Sequence, residues 1–282
     1  MRKIRPPGIA ENPTVNAHKR NLEMALIAMA IYDTPENYRA DMTRQTLESL
    51  VKTVDFSRHR AILVVNEATE RTIDAIIDFG ESTGAASEII YLKENIGTAR
   101  AINKAWLTRE PGENAIKMDN DVVIHAAGWV DEMEEAIQAD PQIGIIGLKR
   151  KDCWENPAHE SDFYRSELMM LPHKPGEPWI VVERVNHVIG TCQMYSAALL
   201  DKIGYLYQPG LYGWDDVLAA ERCKVAGFYS CFLPHFRIDH IDPGATPYQG
   251  WKERTAWEGK EEVDRLREGY KNGTISIYYG PE

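Results

Sequence analysis

The chain has 282 residues, of which 44% are hydrophobic and 27% charged, and its formal net charge is −11. A chain of this length can bury a substantial core, and none of its apolar stretches is long enough to span a bilayer, so we expect no transmembrane segment. The net negative charge argues against a broad nucleic-acid-binding surface, because such surfaces carry a basic excess.

Residues 1–20 are predicted to form an extended arm, because they contain Pro6, Pro7, Gly8 and Pro13 and show no hydrophobic period. The arm is basic but lacks the apolar segment of a secretory signal, which predicts a cytoplasmic protein. The four cysteines form no CxxC pair and no zinc-ligand spacing, as expected of free thiols in a reducing compartment.

Alternating strands and helices follow the arm, and this alternation predicts an α/β fold. Strands are predicted at residues 22–32, 60–69 and 87–93, and helices at residues 37–51 and 71–83. The residues expected to face inward from the two helices are Met42, Leu47, Leu50 and Val51, then Ile73, Ile76, Ile77 and Phe79. This order predicts a parallel sheet with helices on both faces, and ligands bound beyond the carboxyl ends of its strands.

The rest of the chain continues the alternation less regularly. Helices are predicted within residues 94–107 and at 129–139, 197–203 and 252–270, and strands at 114–124 and 143–148, with a short strand-like segment at 275–279. We find no internal repeat and no low-complexity tract, and the length suits one large domain or two small ones.

The segment IKMDNDVVI places two acids, Asp119 and Asp121, inside an apolar run that is typical of a strand. Side chains at positions i and i+2 of a straight strand share a face, so the two carboxylates would converge on a divalent cation. The alternative is that the strand ends early and leaves the acids in a solvated turn. The spacing by itself leaves both interpretations open.

Four motifs, in this order, resemble those of glycosyltransferases of the GT-A fold, closest to glycosyltransferase family 2. They are VVNEAT, where the family usually has Asp in place of Asn66; ENIGTARAINKA; MDND; and GWDDVLAAERCKVAGF followed by FRIDH. The resemblance implies an α/β fold in which a Rossmann-like nucleotide-sugar-binding half (21–125), with a mostly parallel sheet, is fused to an acceptor-binding and catalytic half (126–245). A C-terminal helix and tail (246–282) would follow.

The resemblance also implies a metal site. Asp119 would lie at the ribose or at a metal-bound water, Asp121 would bind the metal at the donor diphosphate, and His240 would be the third ligand. An imidazole ligand suits Mn²⁺ better than Mg²⁺, although either ion is compatible with the carboxylates. His235 is expected on the opposite side of its strand, outside the site.

In the GWDD motif, Asp216 aligns with the family's general base and Asp215 with its acceptor contact. The alternative for Asp215 is that it caps a helix beginning at Val217. Trp214 abuts the acids and could stack on a sugar, since aromatic faces commonly pack against sugar rings.

The family pattern assigns the donor nucleotide sugar to polar residues at the strand ends and in the second and third motifs. These are Tyr32, Asp33, Asn66, Asn95, Gly97, Arg100, Asp119 and Asn120. For Arg100 the choice between a phosphate or base contact and a helix-surface ion pair stays open.

The sequence therefore predicts an inverting, metal-dependent glycosyltransferase of the hexosyltransferase type, using a nucleoside diphosphate sugar. The alternatives are a sugar nucleotidyltransferase, ranked lower because the loop after the first strand, YDTPENY, is not rich in glycine, and a non-catalytic nucleotide- or carbohydrate-binding relative. The acceptor is open among saccharides, lipid-linked glycans, proteins and modified nucleic-acid bases, and a homo-oligomer is possible.

Overall fold

The computed structural model describes residues 24–152, 166–172, 176, 178–244 and 247–281. The predicted N-terminal arm lies outside these residues, as do the first two residues of the predicted first strand. Cys153 lies outside them too, and the other three cysteines are buried and unpaired, as expected of free thiols.

Ten strands and eight α-helices account for most of the described residues. The strands are β1 (Ala25–Ile31), β2 (Arg60–Val65), β3 (Ser87–Tyr91), β4 (Asn114–Met118), β5 (Val122–Ile124), β6 (Ile143–Arg150), β7 (Glu167–Leu171), β8 (Ile180–Val185), β9 (Cys192–Tyr195) and β10 (Tyr229–His240). The helices are α1 (Ala40–Thr53), α2 (Glu70–Thr83), α3 (Thr98–Trp106), α4 (Trp129–Ala139), α5 (Ala197–Ile203), α6 (Asp215–Val225), α7 (Pro247–Glu258) and α8 (Lys260–Asn272).

All ten strands belong to one sheet, in the order β3-β2-β1-β4-β9-β6-β10-β8-β7, with β5 paired to β10. The four strands β3, β2, β1 and β4 are parallel, so the predicted β-α-β-α-β order and the α/β fold are confirmed. Beyond β4 the pairing becomes mixed, because β9 runs antiparallel to both β4 and β6. The sheet thus continues from the first predicted half of the chain into the second.

The core lies on both faces of this sheet because successive β1 side chains alternate between two buried clusters. Ile27 and Met29 belong to the cluster under α1, α2 and α4, and Leu26 and Ala28 to the cluster under α3, α5 and α6. A strand buried on both faces needs an unbroken apolar run rather than an alternating one. The unbroken apolar run of the first predicted strand follows from this burial on both faces.

Two of the predicted inward residues instead face solvent: Val51 is 39% exposed and Ile77 is 46% exposed. The buried face of α1 carries Thr43, Thr46 and Ser49 in addition to Leu47 and Leu50. An apolar period cannot identify a face that is partly polar, so the prediction for α1 was right for Leu47 and Leu50, wrong for Val51, and missed the buried hydroxyl residues.

The predicted long C-terminal helix is wrong, since α7 and α8 are separate helices that meet at Gly259. A side chain at Gly259 would lie 3.2 Å from Pro209, so the break occurs where the chain packs closely on another loop. The predicted terminal strand is reduced to one bridge between Gly204 and Tyr279.

The predicted strand through IKMDNDVVI is also broken. β4 ends at Met118, and β5 leaves the parallel sheet to pair with the end of β10, where Val122 lies opposite His240. The segment between the two strands is not a solvated turn either, because Asp121 is 3% and Asn120 7% exposed. Only the Asp119 side chain, 33% exposed, reaches solvent. The break therefore creates a buried acidic turn, an arrangement that neither interpretation of the sequence described.

Candidate functional site

A cleft of about 340 Å³ opens where the carboxyl ends of β1 and β4 meet the loops before α6 and after β10. Many of the residues predicted to form the site line this cleft: Tyr32, Asp119, Asn120, Asp121, Trp214, Asp215, Asp216 and His240. It is also lined by Arg39, Lys117, Asp242 and Lys252, for which no role was predicted from the sequence. The cleft therefore brings together the third and fourth motifs.

The pairing of β5 with β10 builds a group of three possible metal ligands. The Ile241 amide donates to the Asp121 carbonyl at 2.9 Å, which brings the acidic turn against the end of β10. As a result, ligand atoms of Asp121, His240 and Asp242 lie within 4.8 Å of one another. Two carboxylates and an imidazole are a donor set that suits Mn²⁺ and is compatible with Mg²⁺.

Buried hydroxyl groups of helix α1 form hydrogen bonds with the acidic turn and with β5. The Asn120 side-chain amide donates to Thr43 Oγ1 at 2.8 Å, and the backbone amide of Val122 donates to Thr46 Oγ1 at 3.0 Å. The Ile124 amide donates to Ser49 Oγ at 3.3 Å. Backbone donors that left the parallel sheet are thereby satisfied, and this explains why α1 buries a polar stripe.

Two basic side chains reach the same carboxylates. Arg39 contacts Asp121 and lies 2.9 Å from an Asp242 oxygen, and Lys252 contacts Asp242. Burial opposes ionisation of Asp121, but His240, Arg39 and Lys252 outweigh it and lower the Asp121 pKa. Burial likewise opposes ionisation of Asp242, yet Lys252, the Gly244 amide and Arg39 lower its pKa to about 2. Both acids are ionised at neutral pH.

One carboxylate oxygen in this group remains available to a ligand. Asp121 Oδ1 is buried and has no hydrogen-bond partner among the described residues. A buried carboxylate oxygen without a partner costs stability unless a ligand satisfies it. This oxygen and His240 Nε2, which lies 3.4 Å from Asp121 Oδ2, are therefore suitable ligands for a divalent cation.

Asp119 belongs to a second group, organised by the buried Lys117. Lys117 Nζ donates to the Gly190 carbonyl at 2.7 Å and lies 3.3 Å from Asp119 and 3.1 Å from Asp215. Partial burial, Asp121 and Asp215 raise the pKa of Asp119 to about 6, against the opposing charge of Lys117. Lys117 thus joins the end of β4 to the start of α6.

Asp216 lies at the start of α6 and is held by several donors. The Gly190 amide donates to its Oδ2 at 2.9 Å, the Val217 amide donates to its Oδ1 at 2.8 Å, and His187 Nε2 lies 3.2 Å from Oδ2. Burial opposes ionisation, but His187, Lys117 and the Gly190 amide lower the Asp216 pKa to about 2. The carboxylate is therefore ionised and fixed in orientation.

Helix α6 begins at Asp215 with Trp214 as its N-cap residue, so the alternative that Asp215 caps a helix beginning at Val217 is wrong. Trp214 has a φ of 71°, a left-handed conformation that is costly for a bulky residue. Its indole Nε1 donates to the Ala256 carbonyl at 2.6 Å, which fixes the ring against α7 at the cleft wall.

Aromatic side chains close the cleft beside Tyr32. The Tyr248 and Trp251 rings of α7 stack with centroids 5.2 Å apart and planes 12° apart, and the Tyr32 ring lies 5.9 Å from Trp251. Tyr248 also lies under two cations, since Arg39 is 5.5 Å and Lys252 is 4.9 Å from its centroid. Helix α7 therefore brings both aromatic surface and positive charge to this end of the cleft.

The remaining residues predicted for the donor nucleotide do not line the cleft in the described part of the structure. They are Asp33, Asn66, Asn95, Gly97 and Arg100.

Three of these residues are engaged in hydrogen bonds with neighbouring loops. Asp33 accepts from the Arg39 amide at 2.8 Å and from Thr72 Oγ1 at 2.7 Å. Asn66 accepts from the Ile96 amide at 2.9 Å and donates to Asn95 at 2.8 Å. These polar groups lie at the predicted sheet edge, but their hydrogen bonds shape the loops behind the cleft.

The structure separates the two histidines of β10, as expected. His235 Nε2 lies 2.9 Å from Glu132 Oε1, whereas His240 faces Asp121. The register of β10 against β6 shifts between Leu233 and Arg237, the interval that contains His235.

Three of the site residues that were not predicted nevertheless had a recognisable feature in the sequence. Lys117 is a cation inside an apolar run, Asp242 follows His240 by two positions, and Arg39 ends the loop after β1. His187 and Lys252 carried none, because their relevance depends on contacts between distant segments.

Among the described residues, no helix combines the length and apolar character needed to cross a membrane. No protein-family model matches the sequence. Among curated proteins, the uncharacterized protein y4gI of Sinorhizobium fredii is 21% identical over 248 residues, covering 84% of this chain and 27% of that protein. The chain thus spans about a quarter of the length of this relative.

Solved structures resemble the fold more clearly. The mannosyltransferase PcManGT from Pyrobaculum calidifontis, in complex with GDP-Man and Mn²⁺, has a TM-score of 0.59 at 18% identity, covering 81% of this chain and 59% of that chain. S. aureus TarS 1-349 in complex with UDP-GlcNAc has a TM-score of 0.62 at 16% identity, covering 88% of this chain and 66% of that chain. GalNAc-T7 with UDP, GalNAc and Mn²⁺ has a TM-score of 0.57 at 12% identity, covering 78% of this chain and 43% of that chain. At these identities the likeness shows the fold: the predicted GT-A fold is confirmed.

Proposed function

We propose that this GT-A-fold chain is a metal-dependent glycosyltransferase that moves a sugar from a nucleoside diphosphate donor to an acceptor hydroxyl. The observation that carries the proposal is that one cleft joins two groups. One is the possible cation site of Asp121, His240 and Asp242, and the other is the acid pair Asp215 and Asp216. Transfer of a glycosyl group requires a place for the departing diphosphate and a base for the acceptor, and the two groups meet these requirements.

Asp121, His240 and Asp242 would hold the ion, with Asp119 beside them at the ribose or at a metal-bound water. A bound Mn²⁺ or Mg²⁺ would stabilise negative charge on the departing diphosphate. The unpartnered Asp121 oxygen supports this assignment, as does the presence of Mn²⁺ in the PcManGT and GalNAc-T7 complexes.

The donor would lie between the acidic turn and the aromatic residues of α7. Tyr32 would offer a ring to the nucleotide base, and Asn120 lines the same cleft. We propose that Asp33, Asn66, Asn95 and Gly97 act by shaping the loops around this pocket. Arg100 is exposed on α3 and keeps the two roles that the sequence left open.

Asp216 is the proposed general base of an inverting transfer. Its carboxylate is ionised at neutral pH and held in place by the Gly190 and Val217 amides. The acceptor oxygen forms a bond to the anomeric carbon, its proton passes to the Asp216 carboxylate, and the bond from that carbon to the diphosphate breaks with its electron pair. Asp215 would contact the acceptor, and the fixed Trp214 ring would support its sugar.

A ligand panel tests this proposal. We would measure the melting temperature of the protein with Mn²⁺ and each of several nucleoside diphosphate sugars. For each sugar nucleotide that raises the melting temperature, we would then measure the release of nucleoside diphosphate. Acceptors of the four open classes would then be added to the reaction. We expect at least one GDP- or UDP-sugar to stabilise the protein in the presence of Mn²⁺ and to be turned over.

The matched variants are Asp121→Asn and Asp239→Asn, which remove equal charge. Asp239 lies next to His240 but pairs with Lys151 at 2.7 Å on the strand's other side. Asp121→Asn should abolish the stabilisation by Mn²⁺ with nucleotide, whereas Asp239→Asn should keep it. Equal stabilisation of all three proteins, or of none, would contradict the proposal.

A further inference from the structure

The proposed metal ligands already have cationic partners in the protein. Arg39 contacts both Asp121 and Asp242, and Lys252 contacts Asp242. The side chains of Arg39 and of both acids are 5% exposed, and that of Lys252 is 10% exposed. Charges this deeply buried are screened little by solvent, so their balance decides which ions the group accepts.

Two carboxylates and two cations cancel before any ligand enters. A divalent cation added to this group by itself leaves an uncompensated double positive charge, and a diphosphate added by itself leaves an uncompensated negative charge. Both states are costly where the dielectric response is low. The two ligands together restore the balance, so each one raises the affinity of the site for the other.

We propose that Arg39 and Lys252 bind the diphosphate of the donor and make metal binding conditional on the nucleotide. This inference rests on the proposed function, because the diphosphate belongs to a nucleotide-sugar donor. A guanidinium forks onto oxyanion pairs, and an ammonium supplies a compact charge, so the two side chains complement the phosphates.

The two cations come from separate parts of the chain, and both are held in place. The Arg39 backbone amide donates to Asp33, and its side-chain Nε lies 3.4 Å from Asn120 Oδ1, next to Asp121. Lys252 comes from α7, the helix that also carries Tyr248. This arrangement gives Asp33, one of the residues predicted to contact the nucleotide, an indirect part in positioning Arg39.

The test is a pair of titrations on the full chain. Mn²⁺ binding is measured by calorimetry without nucleotide and with saturating GDP or UDP, and nucleotide binding is measured with and without Mn²⁺. The variants are Arg39→Met and Lys252→Met, with Arg39→Lys as the conservative form. Arg44→Met is the matched control, because Arg44 lies on α1 in an exposed ion pair with Asp78. Circular dichroism verifies that each variant is folded.

In the wild type and in Arg44→Met, we expect Mn²⁺ affinity to rise about tenfold or more when GDP or UDP is present. Arg39→Met and Lys252→Met should bind Mn²⁺ without nucleotide about tenfold or more tightly than the wild type, because one opposing charge is gone. Both should lose nucleotide affinity, and Arg39→Lys should restore the dependence on nucleotide. In Lys252→Met, Arg39 still contacts both acids, so this variant tests the proposal even if Arg39→Met fails to fold.

The outcomes separate this inference from the proposed function. If nucleotide with Mn²⁺ stabilises the wild type while Arg39→Met and Lys252→Met match it in every titration, the inference is overturned and the proposed function stands. If GDP and UDP bind neither the wild type nor Arg44→Met in the presence of Mn²⁺, both are overturned.

Discussion

Replacing Lys117 with methionine should destabilise the fold by about 3–5 kcal/mol at pH 8, the usual cost of removing one partner from a buried ion pair. Lys117 is 3% exposed and lies 3.3 Å from Asp119 and 3.1 Å from Asp215. At an effective dielectric constant of about 20, one unit-charge pair at such a distance is worth roughly 5 kcal/mol. Methionine fills most of the space, so lost charge rather than a cavity sets the cost.

The loss should depend on pH in a defined direction. The folded-state pKa of Asp119 is about 6, above its value of 3.8 in an unfolded chain, and Lys117 opposes that rise. Without Lys117 this pKa rises further, so the folded variant binds a proton more readily than the wild type. Protonation removes part of the unpaired charge, and the difference in stability should therefore shrink as the pH falls from 8 to 5.

Urea denaturation at pH 5 and pH 8 measures both quantities. The control is Lys52→Met, an exposed position on α1, which should change the free energy of unfolding by less than about 0.5 kcal/mol. A Lys117→Met loss below about 1 kcal/mol at pH 8, or one that does not change with pH, would refute the reasoning.

Three further substitutions test other parts of the site. Asp216→Asn should lower kcat by about 10²–10⁴-fold with unchanged nucleotide binding, measured by product release and thermal shift, because it removes the proposed base. Thr46→Val should cost about 1–3 kcal/mol in urea denaturation, since it leaves the buried Val122 amide unpaired. Gly97→Ala should lower stability by about 1–3 kcal/mol, because φ is 88° there and the added carbon would lie 3.0 Å from Leu211 Cα; an unchanged melting temperature would contradict this.

The parallel half of the fold was predictable because its signals are local. The buried strands β1 and β2 are almost unbroken apolar runs, and the helices between the strands carry recurring apolar residues, so the order β1-α1-β2-α2-β3 follows from the sequence. The sequence left open whether the strand breaks after Met118, because the break depends on β5 pairing with His240, which is distant along the chain. Arg39 and Asp242 are likewise 203 residues apart in sequence. No local pattern reports such a contact.

The broken strand explains why two acids with the same spacing take different partners. In a straight strand, Asp119 and Asp121 would share a face and one ion. The turn instead places Asp119 3.3 Å from Lys117, and Asp121 beside His240 and Asp242. Each acid would be costly if buried without its own partners, and each set of partners comes from a different segment of the chain. The acidic turn therefore links the proposed cation site to the proposed base, and a change that straightened it would separate the two.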